Sequence, residues 1–251
     1  MLSPMGETIT GQGQLKIDGH PMAISFTVPV DPCRPEALLP DVQKFADQVT
    51  DLAENRARAA GHTVSCAKGC GACCRQMVPI SPTEARHLAA LVDRLPPARA
   101  KVVRARFSAA QTQMATAGVV PKGHPDTDKA AYRDYGMAYF RQGVPCPFLE
   151  EESCSIHPDR PLVCREYLVT SPPAACAVLG SGQVRQVAVP LRVWAVFGRC
   201  ASADRSLAWM PLIEALDHVA QSAPPPPKRT GPQHVDAFFQ QLQAAKSGGP
   251  E

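Results

Sequence analysis

The sequence lacks the features that place a protein in a membrane or send it into the secretory pathway. No stretch approaches the ~20 uninterrupted apolar residues of a membrane span. The first residues, MLSPMGETITGQGQ, contain neither the basic nor the apolar region of a signal peptide. We therefore expect a cytoplasmic protein with no membrane interaction, in a reducing compartment where thiols stay free.

An excess of one charge is also lacking. The 251 residues include 26 basic and 23 acidic side chains, which gives a net charge of +3. Such a balance does not provide the basic surface that nucleic-acid binding needs, so we expect no nucleic-acid partner. With 45% hydrophobic residues, the chain is long enough and apolar enough to bury a core.

Cysteine, by contrast, is abundant, and eight of the ten cysteines lie in two zones. In a reducing compartment, clustered cysteines indicate metal ligands or catalytic thiols rather than disulfides. Short spacers allow neighbouring thiolates to reach one ion with little loss of chain entropy. Cys33 and Cys200 stand apart and are expected to be ordinary thiols. The predicted metal ligands are Cys66, Cys70, Cys73, Cys74, Cys146, Cys154, Cys164 and Cys176.

Two motifs carry a resemblance to a known family. CAKGCGACCR at 66–75 is followed by CPFLEEESCSIHPDRPLVCREY at 146–167. Together they resemble the YkgJ-type CxxCxxCC cysteine-cluster family over about residues 64–180, which implies a zinc- or iron-chelating domain. The chain departs from the family pattern in its first spacer, which is Cys-x3-Cys, and at His157, where the family commonly has tyrosine. His157 is a candidate extra ligand, although a polar turn residue is the commoner role of a lone histidine.

The spacing does not distinguish zinc from an iron–sulfur cluster. Eight thiolates suit two tetrahedral zinc ions, or four suit a four-iron four-sulfur cluster while the rest serve a second site. The side chains of adjacent Cys73 and Cys74 diverge in an extended backbone, which favours two centres over one zinc ion. The resemblance extends to flagellin lysine N-methylases, which are associated with an iron–sulfur cluster. The cluster is therefore the favoured cofactor and zinc the alternative. The cations expected to offset the thiolate charge are Lys68, Arg75, Arg160 and Arg165.

The predicted function is metal binding that serves electron transfer or the modification of a protein partner. One alternative is an enzyme like the flagellin lysine methylases. Another is a radical S-adenosylmethionine-type enzyme, because Cys66, Cys70 and Cys73 reproduce its three-cysteine signature. That chemistry needs a repeated βα barrel, whereas helices are predicted after Cys74. GSGQV at 180–184 precedes a predicted strand, which makes it a turn rather than a nucleotide-binding loop. The sequence leaves open whether any reaction is catalysed.

The predicted fold is mainly α with small β elements, a metal-organised single domain with irregular cysteine-rich loops. We divide the chain into an N-terminal extension (1–35), a cysteine-cluster domain (36–221) and a Pro-rich linker with a short C-terminal helix (222–251). Asp18-Gly19 predicts the turn of a β-hairpin, and SPTE at 81–84 predicts a helix start with a capping box. The predicted elements are a hairpin over 12–30, helices over 37–60, 81–95, 97–117, 128–143 and 205–221, and strand structure in QVRQVAVPLRVWAVF.

Overall fold

The computed structural model describes residues 6–178, 182–200, 207–223 and 226–247. The chain is 51% helical and 16% strand, which confirms a mainly α fold with small β elements. The helices are α1 (Leu39–Ala59), α2 (Pro82–Arg94), α3 (Pro97–Thr116), α4 (Lys129–Arg141), α5 (Leu162–Glu166), α6 (Val193–Cys200), α7 (Ala215–Gln221) and α8 (Gly231–Ser247). The strands are β1 (Thr8–Ile17), β2 (His20–Pro29), β3 (Pro32–Cys33), β4 (Pro79–Ile80), β5 (Leu149–Glu150), β6 (Ser153–Cys154), β7 (Met210–Pro211) and β8 (Arg229–Thr230).

The predicted hairpin is confirmed, and it is longer than expected. Strands β1 and β2 pair over ten residues each, from Thr8↔Pro29 to Ile17↔His20. The turn residues Asp18 and Gly19 have φ angles of 48° and 82°, the left-handed conformation that a two-residue hairpin turn requires. The inner face of this hairpin packs on helices rather than on another sheet.

One continuous layer of apolar side chains joins the inner face of the hairpin to α1, α6 and α8, and we call this layer the apolar half. Phe238 of α8 is fully buried at its centre. The ring of Phe238 lies 5.8 Å from that of Phe26 and 5.9 Å from that of Phe45, measured between centroids. Tilted and edge-on rings at such distances attract each other beyond simple burial. The first and last elements of the described chain are thus packed into one core.

Helix α6 corrects the strand predicted for its sequence. VWAVFGRC forms a helix in which six of eight residues are buried. Because nearly every side chain is buried, its β-branched and aromatic residues show no polar face that would distinguish a helix from a strand. The backbone N–H of Trp194, in the first turn, donates to the Glu166 carboxylate at 2.8 Å. Contacts with α1, α5 and α8 surround the helix.

The capped helix is confirmed as α2. Ser81 accepts the N–H of Glu84, and the Glu84 carboxylate accepts the N–H of Ser81. Helix α2 packs against α7, and a second apolar cluster that includes Phe107 and Phe148 lies beside them. The cysteine-rich residues therefore lie beside helices that pack against one another.

The helix predicted over 205–221 is shorter than expected. Residues 205 and 206 lie outside the described part of the chain, Met210 and Pro211 form strand β7, and a short 3-10 turn at 212–214 leads into α7. Proline forces the residue before it into an extended conformation, so the helix begins only after Pro211. The other helices predicted from periodicity agree with α1, α3 and α4 within a few residues.

The division into 1–35, 36–221 and 222–251 stays a prediction. Within the described ranges, strands form only two-stranded antiparallel pairs, so the alternatives that require a parallel sheet receive no support there. Of GSGQV, Gly180 and Ser181 lie outside the described residues. Among the helices in the described ranges, none combines the length and the apolar character that a membrane crossing demands.

Candidate metal centre

Backbone contacts hold the two cysteine-rich parts of the chain side by side. We call residues 61–78 and 144–178 the cysteine segments. The N–H of Cys146 donates to the carbonyl of Cys74 at 2.7 Å, and the N–H of Ser65 donates to the carbonyl of Val169 at 2.9 Å. At Gly71, a β-carbon would lie 2.5 Å from the carbonyl oxygen of Glu152, so only glycine allows this approach. Two segments some seventy residues apart in sequence are thus adjacent in space.

Cys66, Cys70 and Cys176 form a first group of thiols. Burial raises the pKa of Cys66, negative charge on Cys73 and Cys70 raises it further, and the N–H of Val169, which donates to its Sγ at 3.4 Å, lowers it. Burial also raises the pKa of Cys176, with further increases from the charges of Cys73, Cys66 and Cys70. Despite the longer first spacer, Cys66 is therefore within electrostatic reach of the other thiols.

Cys146, Cys154 and Cys164 form a second group. Burial raises the pKa of Cys146 to about 12, and the charges of Cys154 and Cys73 contribute. Burial raises the pKa of Cys164 well above its usual value, with contributions from the charges of Cys146, Cys73 and Cys154. Strand pairing places Cys154 opposite Leu149, on the short β5–β6 hairpin that follows Cys146. Cys146 thus precedes the hairpin, Cys154 lies in β6 and Cys164 lies in α5.

Cys73 lies between the two groups. A hydrogen bond with Cys74 is the largest cause that raises the pKa of Cys73, and burial and the charge of Cys74 add to it. The Cys73 charge acts on thiols of both groups, on Cys66 and Cys176 as well as on Cys146, Cys154 and Cys164. Cys73 is therefore within electrostatic reach of thiols in both groups, and Cys74 is hydrogen-bonded to Cys73.

The thiols are grouped without forming a closed ligand shell. Within the described ranges, no three histidine, cysteine, aspartate or glutamate side chains stand together as the ligands of one metal ion do. None of the ten cysteines forms a disulfide, and seven of the eight clustered ones are half-buried, Cys176 being buried. Protonated thiols have no attraction that would draw them together, and binding a soft metal would replace their protons. As a set of donors, eight neighbouring free thiols fit zinc or iron.

Of the four cations expected to offset thiolate charge, Arg160 is the one that acts on both groups. Its charge lowers the pKa of Cys66 and of Cys154, in each case against the larger effect of burial. Arg165 instead is buried and binds both carboxylate oxygens of Asp47, at 2.9 and 2.6 Å. Lys68 is exposed.

Arg75 fastens the turn of the β5–β6 hairpin to the first cysteine segment. It binds both oxygens of Glu152 at 2.9 and 2.6 Å, in a partly exposed pair. Glu151 and Glu152 have φ angles of 47° and 55°, as in a tight turn. Glu150 pairs with Arg99 and Arg106. Glu150 and Glu152, the first and last of these three acids, therefore pair with arginines outside the turn.

Two buried carboxylates position α5, which carries Cys164. Glu84 accepts the N–H of Leu162 at 2.9 Å in addition to its bonds within the capping box. Glu166 accepts the N–H of Trp194 through one oxygen, while its other oxygen is buried without a hydrogen-bond partner. Burial raises the pKa of Glu166 to about 8. The capping box was predicted from sequence, but its bond to a second segment 78 residues away was not.

Tyr167 and Gln76 line the first thiol group, and the sequence analysis assigned them no role. The amide of Gln76 donates to the Tyr167 hydroxyl and to the Cys176 carbonyl, both at 3.4 Å. A hydrogen bond between Tyr167 and the Cys176 thiol lowers the pKa of Cys176, against the larger effect of burial. The signal was present in the CREY motif, where the tyrosine follows Cys164 at a fixed distance.

The remaining candidates lie apart from the thiols. The ring nitrogens of His157 contact Arg160, which fits its interpretation as a turn residue next to Pro158. Cys33 pairs with Arg229 in the β3–β8 sheet, and its carbonyl accepts from His234 at 3.0 Å. Cys200 ends α6 and bonds to the carbonyl of Val196 at 3.2 Å.

Comparison with known families gives a match within the chain. Residues 65–177 match the family CxxCxxCC, described as a putative zinc- or iron-chelating domain. Over these residues the chain is similar to that family. The matched range contains all eight clustered cysteines and excludes Cys33 and Cys200. No curated protein and no solved structure matches the chain significantly. The matched residues begin after α1 and end before α6, so the helices that pack around them lie partly outside the match.

Proposed function

We propose that this CxxCxxCC protein binds metal at two adjacent centres and uses them in electron transfer or in the modification of a protein partner. The observation that carries the proposal is the approach of the two cysteine segments, where the N–H of Cys146 donates to the carbonyl of Cys74 at 2.7 Å and the charge of Cys73 acts on thiols of both segments. Four thiolates complete a tetrahedral zinc site or hold an iron–sulfur cluster. Cys66, Cys70 and Cys176 would hold one centre, and Cys146, Cys154 and Cys164 the other.

An iron–sulfur cluster is the favoured occupant, and zinc is the alternative. When bound, a cluster supplies one-electron redox chemistry, whereas a zinc ion bound by four cysteines supplies structure. Arg160 suits a cluster and a zinc ion equally, because its positive charge would offset the negative charge of thiolates in both groups. Tyr167 would orient Cys176 through its hydroxyl. A reducing, cytoplasmic location suits ten cysteines that form no disulfide.

Metal and sulfide analysis of anaerobically purified protein tests this function. We expect a brown protein with broad absorption near ~400 nm and with acid-labile sulfide. A colourless protein with about two zinc ions per chain would refute the cluster and keep the two centres. Protein that takes up neither metal would refute the function altogether.

Single substitutions test the division into two centres. Cys176→Ser and Cys164→Ser each remove one thiol from a different group, so each is expected to lower the metal content by about half. Cys73→Ser is expected to disturb both centres and to lower the content further. Equal and complete loss in all three variants would show one shared centre instead.

A further inference from the structure

The two outer edges of the β1–β2 hairpin can be told apart by their hydrogen-bonding groups. The pair Ile17↔His20 flanks a two-residue turn, so it exchanges backbone hydrogen bonds, and the bonded pairs alternate from there. The even-numbered residues of β1 therefore direct their N–H and C=O groups away from β2. On β2, the odd-numbered residues point outward.

The outer edge of β2 is protected against pairing with another strand. Pro21 and Pro29 stand at outward positions and have no N–H to donate. The outward N–H of Thr27 is bound by the carboxylate of Asp41 at 2.6 Å. Prolines and occupied donors are the devices that proteins use to prevent edge-to-edge association.

The outer edge of β1 has none of these devices. Between Glu7 and Lys16 the strand contains neither proline nor a charged side chain. In the described part of the chain, β1 pairs with β2 alone, and residues 8–14 are all exposed. An exposed edge of this length is a template for strand addition.

An apolar groove lies on the helix-facing side of the same edge. Gly11 and Gly13 project no side chains towards α8, which leaves a groove of about 330 Å³. A β-carbon on Gly11 would meet no atom within 4 Å. At the rim stands Ile9, 50% exposed. The other lining residues are Gln12, Ile24, Phe26, Val28, Pro232, Val235, Asp236 and Phe239.

We propose that β1 is a self-association edge, to which a second copy of this chain adds its own β1 in antiparallel orientation, centred on Gly11. In this register Ile9 lies opposite the partner's Gly13, and Thr10 forms the hydrogen-bonded pair with the partner's Gln12. Ile9 and Gly13 stand two residues on either side of Gly11, so each copy presents an exposed apolar side chain to the glycine notch of the other. No like charges oppose each other along the paired strands, and the product is a four-stranded sheet.

A proline substitution on each edge tests the proposal in the full chain. Gln12→Pro removes an outward N–H at the centre of the interface without touching the ladder to β2. Ser25→Pro, on the same rung, removes the outward N–H of the opposite edge and is the matched control. In sedimentation velocity between about 5 and 500 µM, we expect wild type and Ser25→Pro to shift from monomer to dimer. This range spans the micromolar dissociation constants of weak protein–protein contacts. Gln12→Pro is expected to stay monomeric.

A second variant keeps the test independent of proline. A β-carbon at position 13 would meet only Ile24 within 4 Å, at 3.8 Å, so we expect Gly13→Val to leave the monomer folded while it fills the notch. We expect its dimerisation to be at least tenfold weaker. Wild type that stays monomeric throughout, or dimers that persist in both Gln12→Pro and Gly13→Val, would overturn the proposal. Equal loss in Gln12→Pro and Ser25→Pro would also overturn it.

Discussion

The apolar half and the cysteine segments are built on opposite physical principles. The apolar half contains α1 with 21 residues and α8 with 17, and its apolar side chains form one continuous cluster. In the cysteine segments the longest helix, α5, has five residues, and the strands β5 and β6 have two each. Helices this short are not stable by themselves. Burial contributes to both regions, since Phe148 and Leu162 of the cysteine segments are fully buried, but the cysteine segments contain far less regular secondary structure.

Metal removal should produce the largest difference in amide protection between the two regions. A structural zinc site contributes on the order of 10 kcal/mol, and that binding energy is also folding energy. After chelation, we expect amide hydrogen exchange to rise at least 100-fold in the cysteine segments, while α1 and α8 keep their protection. Exchange measured by mass spectrometry on loaded and chelated protein gives the result.

Restoring the metal is the control for this experiment, since protection in the cysteine segments should return. Uniform loss of protection in both regions would contradict the comparison, because it would make the apolar half depend on the metal. Unchanged exchange everywhere would show that packing alone maintains the cysteine segments.

Phe238→Ala should produce the opposite pattern. The side chain is fully buried between Phe26 and Phe45, so its removal leaves a cavity in the apolar half. Such a substitution costs about 3–5 kcal/mol of unfolding free energy. Denaturant unfolding measures this cost, and metal content per folded chain should equal that of wild type. A variant with normal stability and reduced metal content would reverse the assignment of roles.

Glu166 joins the two regions and should make their contact depend on pH. Burial raises its pKa to about 8, against 4.5 for the free side chain. A carboxyl group with a raised pKa stabilises the folded state fully below pH 4.5, and that contribution is lost as the pH rises towards 8. We expect the unfolding free energy of wild type to fall by a few kcal/mol over this range.

Glu166→Gln is the matched variant, because the amide oxygen still accepts the Trp194 N–H and carries no charge. Its unfolding free energy should fall less between pH 5 and 8 than that of wild type, in paired denaturant series. Parallel curves for the two proteins would mean that Glu166 is ionised throughout.

The sequence predicts local structure well where a residue's own chemistry decides it. Asp18-Gly19 sets the hairpin turn, and the Ser81 and Glu84 pair starts α2. Prediction from the sequence fails at VWAVFGRC, because burial on all sides removes the polar pattern that identifies a helix. The bond from Glu84 to Leu162 also escapes prediction, because a long-range partner leaves no periodic signal.

The candidate site, too, is predictable from sequence where local motifs decide it and unpredictable where distant contacts do. Eight clustered cysteines are visible as motifs, and the family match covers all of them. Their separation into two groups around Cys73 depends on the approach of two distant segments, which spacing does not encode. The motif predicts that Arg160 offsets thiolate charge. The ion pair between Arg165 and Asp47, by contrast, is visible only in the three-dimensional structure.

The smallest expected effect comes from Cys33, one of the two cysteines that lie apart from the eight clustered ones. Cys33 pairs with β8 in the framework, and burial followed by the charge of Glu36 raises its pKa, so it stays protonated at neutral pH. Cys33→Ser should therefore leave the metal content and the absorption spectrum unchanged, while Cys176→Ser reduces both. Parallel metal analysis of the two variants decides the matter. Metal loss in Cys33→Ser would extend the metal site into the apolar half and remove the boundary between the regions.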